Sequence, residues 1–372
     1  MNKKILITGG AGFIGSHLAD ELLKHGYSVR VFDSLLPQVH GEDRKRPEYL
    51  DREVELLPGD IRDAAALGPA LKGIDAVYHL AAAVGVGQSM YQIARYTGIN
   101  NGGTAILLEC LAKHPVERLV VASSMSIYGE GLYRTSAGDL VIPSERSIEQ
   151  LKARRWEVVG PDGVPLIPVS TPESKFPALP SIYALSKYDQ ERMCLTIGAA
   201  YDIPTVALRF FNVYGTRQSL SNPYTGVLAI FASRLLNNKP PLINEDGAQK
   251  RDFVSVHDVA LACRLALESP DAPGRAINVG SGNPISVTEV ADRLAEMLEK
   301  KHIGHRVTSC YRKGDIRHCF ADISLARRLL GYQPRVAFET GIVEVVEWLE
   351  GQTAVDHFVK AQQELLDRGL AA

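Results

Sequence analysis

The chain has 372 residues, 45% hydrophobic and 23% charged, an ordinary globular make-up that suffices for one large or two smaller domains. Its 41 basic residues nearly balance 43 acidic ones, for a formal charge of −2. Neither a nucleic acid nor a membrane is therefore an expected partner, and attraction for a phosphorylated ligand must come from local placement.

The five cysteines, Cys110, Cys194, Cys263, Cys310 and Cys319, form no C-x-x-C pair. That count and spacing argue against a metal cage or a disulfide framework, so no metal is expected. The opening MNKKILITGG is too short for a signal-peptide core, and no later apolar run could span a bilayer, so a cytoplasmic location is expected.

Along the chain, short β-rich runs alternate with helical patterns: KKILITGG then SHLADELLKHG, SVRVFD, EVELLPGD then DAAALGPALKG, DAVYHLAAA, GGTAILLECLAKH and RLVVASS. Near-continuous apolar strands separated by helices predict a parallel sheet covered on both faces, an α/β doubly wound domain over at least the first 125 residues. YALSKYDQERMCLTIGAAYD and PTVALRFFN extend it to about residue 210.

The first strand runs into ILITGGAGFIGSHL, where Gly9, Gly10, Gly12 and Gly15 satisfy both G-x-x-G-x-x-G and G-x-G-x-x-G. Glycines between a strand and a helix permit a tight turn and let backbone N–H groups approach a pyrophosphate. Phe13 and Ile14, inside the same turn, join Gly9, Gly12 and Gly15 as cofactor contacts. SVRVFD then ends in Asp33, near the distance expected of an acid that binds a ribose 2′-hydroxyl. That carboxylate would repel a 2′-phosphate and no arginine directly follows it, so NAD is favoured over NADP. Asp60, with Ile61 beside it in GDIRD, closes a third strand, where it either meets the adenine or serves as a helix N-cap.

Residues 131–175, with GPDGVPLIPVSTPES, form a long Pro-rich stretch that reads as a lid, a contact segment or a disordered one. Next, SIYALSK sets Tyr183 four residues before Lys187, on one face of a helix. An ammonium there would favour the phenolate and make Tyr183 a usable general base or acid near neutral pH. Beyond residue 210, GTRQSLSNPYTG and NNKPPLINEDGAQKRD read as site-bearing loops, while TEVADRLAEMLEK and ETGIVEVVEWLEG read as cover for a smaller lobe. A dinucleotide site implies hydride transfer, and a phenol–ammonium pair is what a hydroxyl being oxidised requires.

With these motifs in hand the chain resembles the extended short-chain dehydrogenase/reductase family, in its nucleotide-sugar epimerase/dehydratase branch. The resemblance rests on GGAGFIGSHL, GDIRD, HLAA, NNGGT, SSMSIYG, YALSK, RFFNVYG, RDFVSVHDVA and RKGDIRHCFAD. It implies a Rossmann domain over 1–208 plus 254–280, with 131–175 inserted, and a nucleotide-sugar lobe over 209–253 plus 281–372. It also implies that Ser124 completes a triad with Tyr183 and Lys187, and that Leu80, Ala81, Ala82 and Asn100 line the NAD site. Ser126, Asn212, Arg251, Arg312 and Asp315 correspond to residues that hold the nucleoside-diphosphate sugar. A homodimer follows from the family alone.

Within this branch, dehydratases carry an Asp-Glu pair where this chain has Met125 and Ser126, and decarboxylases carry a glutamate in the same stretch. The pattern S-S-x-S-x-Y-G is that of 4-epimerases, which oxidise carbon 4, let the keto sugar turn over, and return the hydride to its other face. Asn244 and Glu245 depart from the family's aromatic and glycine near the base. The insertion resembles that of dTDP-L-rhamnose 4-epimerases, with UDP-glucose, UDP-N-acetylglucosamine and UDP-glucuronate as competing substrates. A reductase or dehydrogenase with net redox and an NAD-sensing scaffold are the remaining alternatives.

Overall fold

A computed structural model describes residues 3–372. Seven strands make the main sheet: β1 (Lys4–Thr8), β2 (Ser28–Asp33), β3 (Glu55–Pro58), β4 (Ala76–His79), β5 (Arg118–Ser124), β6 (Thr205–Phe210) and β7 (Ala276–Val279). Their order is β7-β6-β5-β4-β1-β2-β3, every neighbouring pair being parallel. The winding direction reverses between β1 and β4, and the crevice at the carboxyl ends of such a pair is where doubly wound folds hold ligands.

The strands are apolar throughout because both faces are covered. On one face, Leu18 and Leu22 of α1 (Phe13–Lys24) pack with Ile5, Val31 and Tyr78 of the sheet. On the other, Leu107 and Leu111 of α2 (Gly103–Lys113) and Cys194 of α3 (Ile182–Ala200) pack with Leu6, Val77 and Leu119. Ala262 and Ala266 of α4 (Val256–Glu268) join the first core. Each large apolar side chain so buried contributes ~1.5–3 kcal/mol.

A separate core lies among the helices Val227–Leu236, Val287–Met297 and Phe338–Leu349, around Phe231, Leu294 and Ile342. The middle helix starts at a capping box in which Ser286 and Glu289 satisfy each other's backbone N–H groups. Residues 131–175 are an ordered contact segment. Its strand Leu132–Arg134 pairs antiparallel with both Leu140–Val141 and Ile167–Val169, around a small core of Tyr133, Val158 and Leu166. The Gly131 N–H donates to His318 and the Thr171 N–H to Phe320, stitching the insertion to the smaller lobe.

Among the elements that escaped the sequence reading is a last helix, α5 (Phe358–Asp367), which lies across the cavity described below. No helix among the described residues is long and apolar enough to cross a membrane.

Candidate active site

The glycine turn is closed by contacts that no side chain would permit. Gly9 sits at φ +71, and a Cβ there would stand 2.8 Å from the Ala81 Cα; on Gly15 it would stand 2.5 Å from the Gly10 Cα. Gly12 is the N-cap of α1 and offers no side-chain cap, so the first N–H groups of that helix, at Phe13 and Ile14, face outward for an anion. Asp33 ends β2 beside this turn, its carboxylate accepting the Ala11 N–H at 3.0 Å and the Leu35 N–H at 2.9 Å. A turn too tight for side chains, an uncapped helix start and a carboxylate at the second strand end fit a dinucleotide.

The flanking positions act on the walls of this cradle. Ala81 donates its N–H to Thr8 Oγ1 at 3.3 Å, with Leu80 and Ala82 on either side. Asn100 is fully buried; its amide holds Ala83 from both sides and donates to Ser186 Oγ at 2.9 Å. It thereby ties the loop after β4 to α3. Ile61 is buried beneath Gly103, where a Cβ would stand 2.5 Å from its Cγ2. Asp60 is not a helix N-cap. That place belongs to Asp63, which accepts from Ala65 and Ala66, while Asp60 pairs with Arg62 at 2.7 Å, a contact that also holds its carboxyl below the usual range.

Ser124 ends β5, and Tyr183 lies in the first turn of α3, its N–H donated to Ser89 Oγ at 3.0 Å. The Ser124 oxygen accepts both the N–H and the hydroxyl of Ser126, the latter at 2.9 Å, which leaves its own proton to donate outward. Lys187 is buried one turn further along α3, and its ammonium donates to Gln190 Oε1 at 2.6 Å. Gln190 in turn donates to Thr104 at 2.9 Å.

The expected depression of the phenol is absent here. Burial raises the Tyr183 pKa and the hydrogen bond to Ser124 lowers it in part. The Lys187 ammonium is directed at Gln190, and burial lowers its own pKa to about 8, against the opposing pull of Cys194 and Glu191. The spacing does place both groups on one helical face, yet the ammonium's position depends on its flexible stem. A ribose hydroxyl near Gln190 would offer it an alternative acceptor.

Ser124, Ser126 and Tyr183 border a cavity of about 380 Å³ whose other walls include Asn212, Arg251, Arg312 and Asp315. Lys187 is not among the lining residues; it lies buried behind the wall. The Asn212 Oδ1 is buried without a partner. Arg251 is largely committed, donating to the carbonyls of Lys250, Ile316 and Arg317, and lies 3.9 Å from the Asp315 carboxylate. Arg312 forms no ion pair among the described residues.

The two unusual residues near the expected base have distinct fates. Asn244 lines the cavity. Glu245 turns into the protein, where it pairs with Arg146 of the insertion at 2.8 Å and with Arg317 at 3.1 Å. Burial raises the Glu245 pKa and Arg146 opposes it. Arg146 also donates to the Asp315 carbonyl at 3.0 Å, so one inserted side chain grips both loops that border the cavity. Sequence reasoning missed the face of α5 that closes the cavity, Phe358, Ala361, Gln362 and Leu365. Its helical spacing in FVKAQQELL was an available signal.

A family profile described as NAD dependent epimerase/dehydratase family matches residues 5–148 and 157–280. The chain is 36% identical to a dTDP-L-rhamnose 4-epimerase of Burkholderia thailandensis, over 93% of this chain and 95% of that protein. It is 32% identical to a putative UDP-glucose 4-epimerase of Methanocaldococcus jannaschii, over 93% and 98% respectively. Among solved structures, the Thermus thermophilus UDP-glucose 4-epimerase in complex with NAD superposes with a TM-score of 0.74 at 30% identity, covering 94% of this chain and 100% of that one.

Proposed function

The chain belongs to the NAD dependent epimerase/dehydratase family and is an NAD-dependent nucleotide-sugar 4-epimerase, and from that premise we propose that it interconverts dTDP-L-rhamnose and dTDP-6-deoxy-L-talose. One observation carries the substrate reading. The charged residues lining the cavity, Arg251, Arg312, Lys313 and Asp315, all come from the smaller lobe, whereas the lining near Tyr183 includes Val86, whose short helix holds the Tyr183 N–H through Ser89, and Leu365, which packs on Gly87 of that helix. An apolar surround suits a sugar whose carbon 6 is a methyl group and leaves a hexuronate carboxylate without a cation. The 36% identical relative supports the same choice.

In this reading Tyr183 removes the proton from the carbon-4 hydroxyl, and Ser124 donates a hydrogen bond to the reacting oxygen throughout. When bound, NAD accepts the hydride and gives it back. Lys187 would hold the nicotinamide ribose, and its ammonium would favour the phenolate only on turning from Gln190 toward Tyr183. Asn212, Arg251, Arg312 and Asp315 hold the nucleoside diphosphate, Ser126 supports Ser124, and the sugar is held loosely enough to turn. Charge-assisted contacts suit arginine for that anchoring.

The reading divides the chain into an NAD-binding part, 1–208 plus 254–280, and a nucleotide-sugar lobe, 209–253 plus 281–372, in a cytoplasmic homodimer. A panel of dTDP-, UDP- and GDP-sugars tests it, after the nucleotide released by denaturation has been identified. Conversion of dTDP-L-rhamnose without consumption of added NADH is the expected result. Turnover of a UDP-hexose or UDP-hexuronate alone would overturn the substrate assignment.

A further inference from the structure

The C-terminal segment is fastened at three places and crosses the cavity between them. At its start, Asp356 pairs with Arg234 at 3.0 Å and caps the Phe358 N–H. In its middle, the Glu364 carboxylate accepts from Tyr91 at 2.8 Å and from Tyr224 at 3.3 Å, with Arg368 stacked 4.4 Å from the Tyr91 ring. At its end, Ala372 exchanges backbone hydrogen bonds with Tyr311, and Leu370 accepts from Lys313. The last tie falls on the stretch that carries Arg312 and Asp315.

Between the fastenings, α5 turns Phe358, Ala361, Gln362 and Leu365 toward the cavity, positions spaced i, i+3, i+4 and i+7. Leu365 is packed against the short helix Val86–Ser89, where a Cβ on Gly87 would stand 3.2 Å from its Cδ1. Ser89 of that helix receives the Tyr183 N–H. Leu365 therefore faces the end of the cavity where the hydroxyl reacts. Gln362 presents an amide with no hydrogen-bond partner among the described residues.

We propose that α5 is the specificity wall of the sugar subsite: Leu365 and Gln362 touch the hexose, and Glu364, clamped by two phenols, is the positioning residue that sets their distance from it. The inference rests on the functional reading above and adds residues that choose among sugars. An apolar Leu365 accepts a methyl substituent without loss, whereas a hydroxyl or carboxylate placed against it would lose water for nothing. Gln362 supplies the one polar contact that α5 offers to ring hydroxyls.

The test is binding in a Tyr183→Phe background, where turnover cannot obscure affinity. Calorimetric titrations compare each free nucleoside diphosphate with its sugar-linked form, for dTDP with dTDP-L-rhamnose and for UDP with UDP-glucose. Leu365→Ala weakens dTDP-L-rhamnose about tenfold and UDP-glucose less, Gln362→Ala weakens either sugar-linked ligand about tenfold, and the free diphosphates change less than about twofold. Glu364→Ala gives the same selective loss, and Glu364→Gln, which keeps an acceptor for the phenols, restores most of it.

Equal losses for the free and sugar-linked forms, or no loss for either, would overturn the wall. The functional reading fails differently. If only the uridine pair binds, the base assignment is wrong and the wall is read from that pair. If neither pair binds, both proposals fall.

Discussion

The Lys187 ammonium and the Gln190 amide oxygen are 2.6 Å apart and buried on the inner face of α3, behind the wall that carries Tyr183. Burial lowers the lysine pKa from 10.5 to about 8. The unfolded chain therefore holds more protons than the folded one between these two values, and the contribution of this group to stability rises with pH across that window. The unfolding free energy of the wild type relative to Lys187→Met should increase by about 2 kcal/mol between pH 8 and pH 10. A difference that stays flat over this range would show that the folded Lys187 keeps its ordinary pKa and that burial does not work against its ammonium.

Gly9 tests the cradle. Its φ of +71 and the 2.8 Å approach of a Cβ to Ala81 make Gly9→Ala both strained and crowded against backbone. The substitution should cost about 1–3 kcal/mol locally and sharply reduce the NAD that co-purifies, with the sheet intact by circular dichroism. Full retention of NAD in the variant would contradict a pyrophosphate seat at this turn.

Arg146 tests the role of the insertion. Arg146→Met leaves the buried Glu245 with Arg317 as its remaining partner and frees the Asp315 carbonyl. KM for the nucleotide sugar should rise about tenfold with kcat little changed, and removing the stranded charge with Glu245→Gln should recover part of that loss. A fall in kcat with KM untouched would place the effect at the reacting sugar instead.

The cradle was legible because its parts are local. A strand, a glycine turn and a helix start follow one another within ILITGGAGFIGSHL, and the apolar strands announce a sheet buried on both faces. Ser124 and Tyr183 come from separate stretches, yet each sits at the end of its own element, so folding the predicted sheet brings them to one cavity.

The rest depended on partners distant in sequence. Spacing aligned Lys187 with Tyr183 but could not reveal that Gln190 captures the ammonium. Asp60 and Asp63 both sit before a helix, and only the backbone decides that Asp63 caps it. Glu245 looked like a departure at the base; it is the counter-charge of Arg146, a pairing that no local pattern encodes. The amphipathic face of α5 was readable, but the cavity it closes was not.

The most direct measurement is the fate of a deuterium placed at carbon 4 of dTDP-L-rhamnose during conversion in ordinary water. If Tyr183 moves only the hydroxyl proton and the hydride stays within the protein, the 4-epimer keeps the label at carbon 4 and gains no solvent hydrogen at carbons 3 or 5. Loss of the label to water, or solvent hydrogen at a neighbouring carbon when the reaction is repeated in heavy water, would contradict the account.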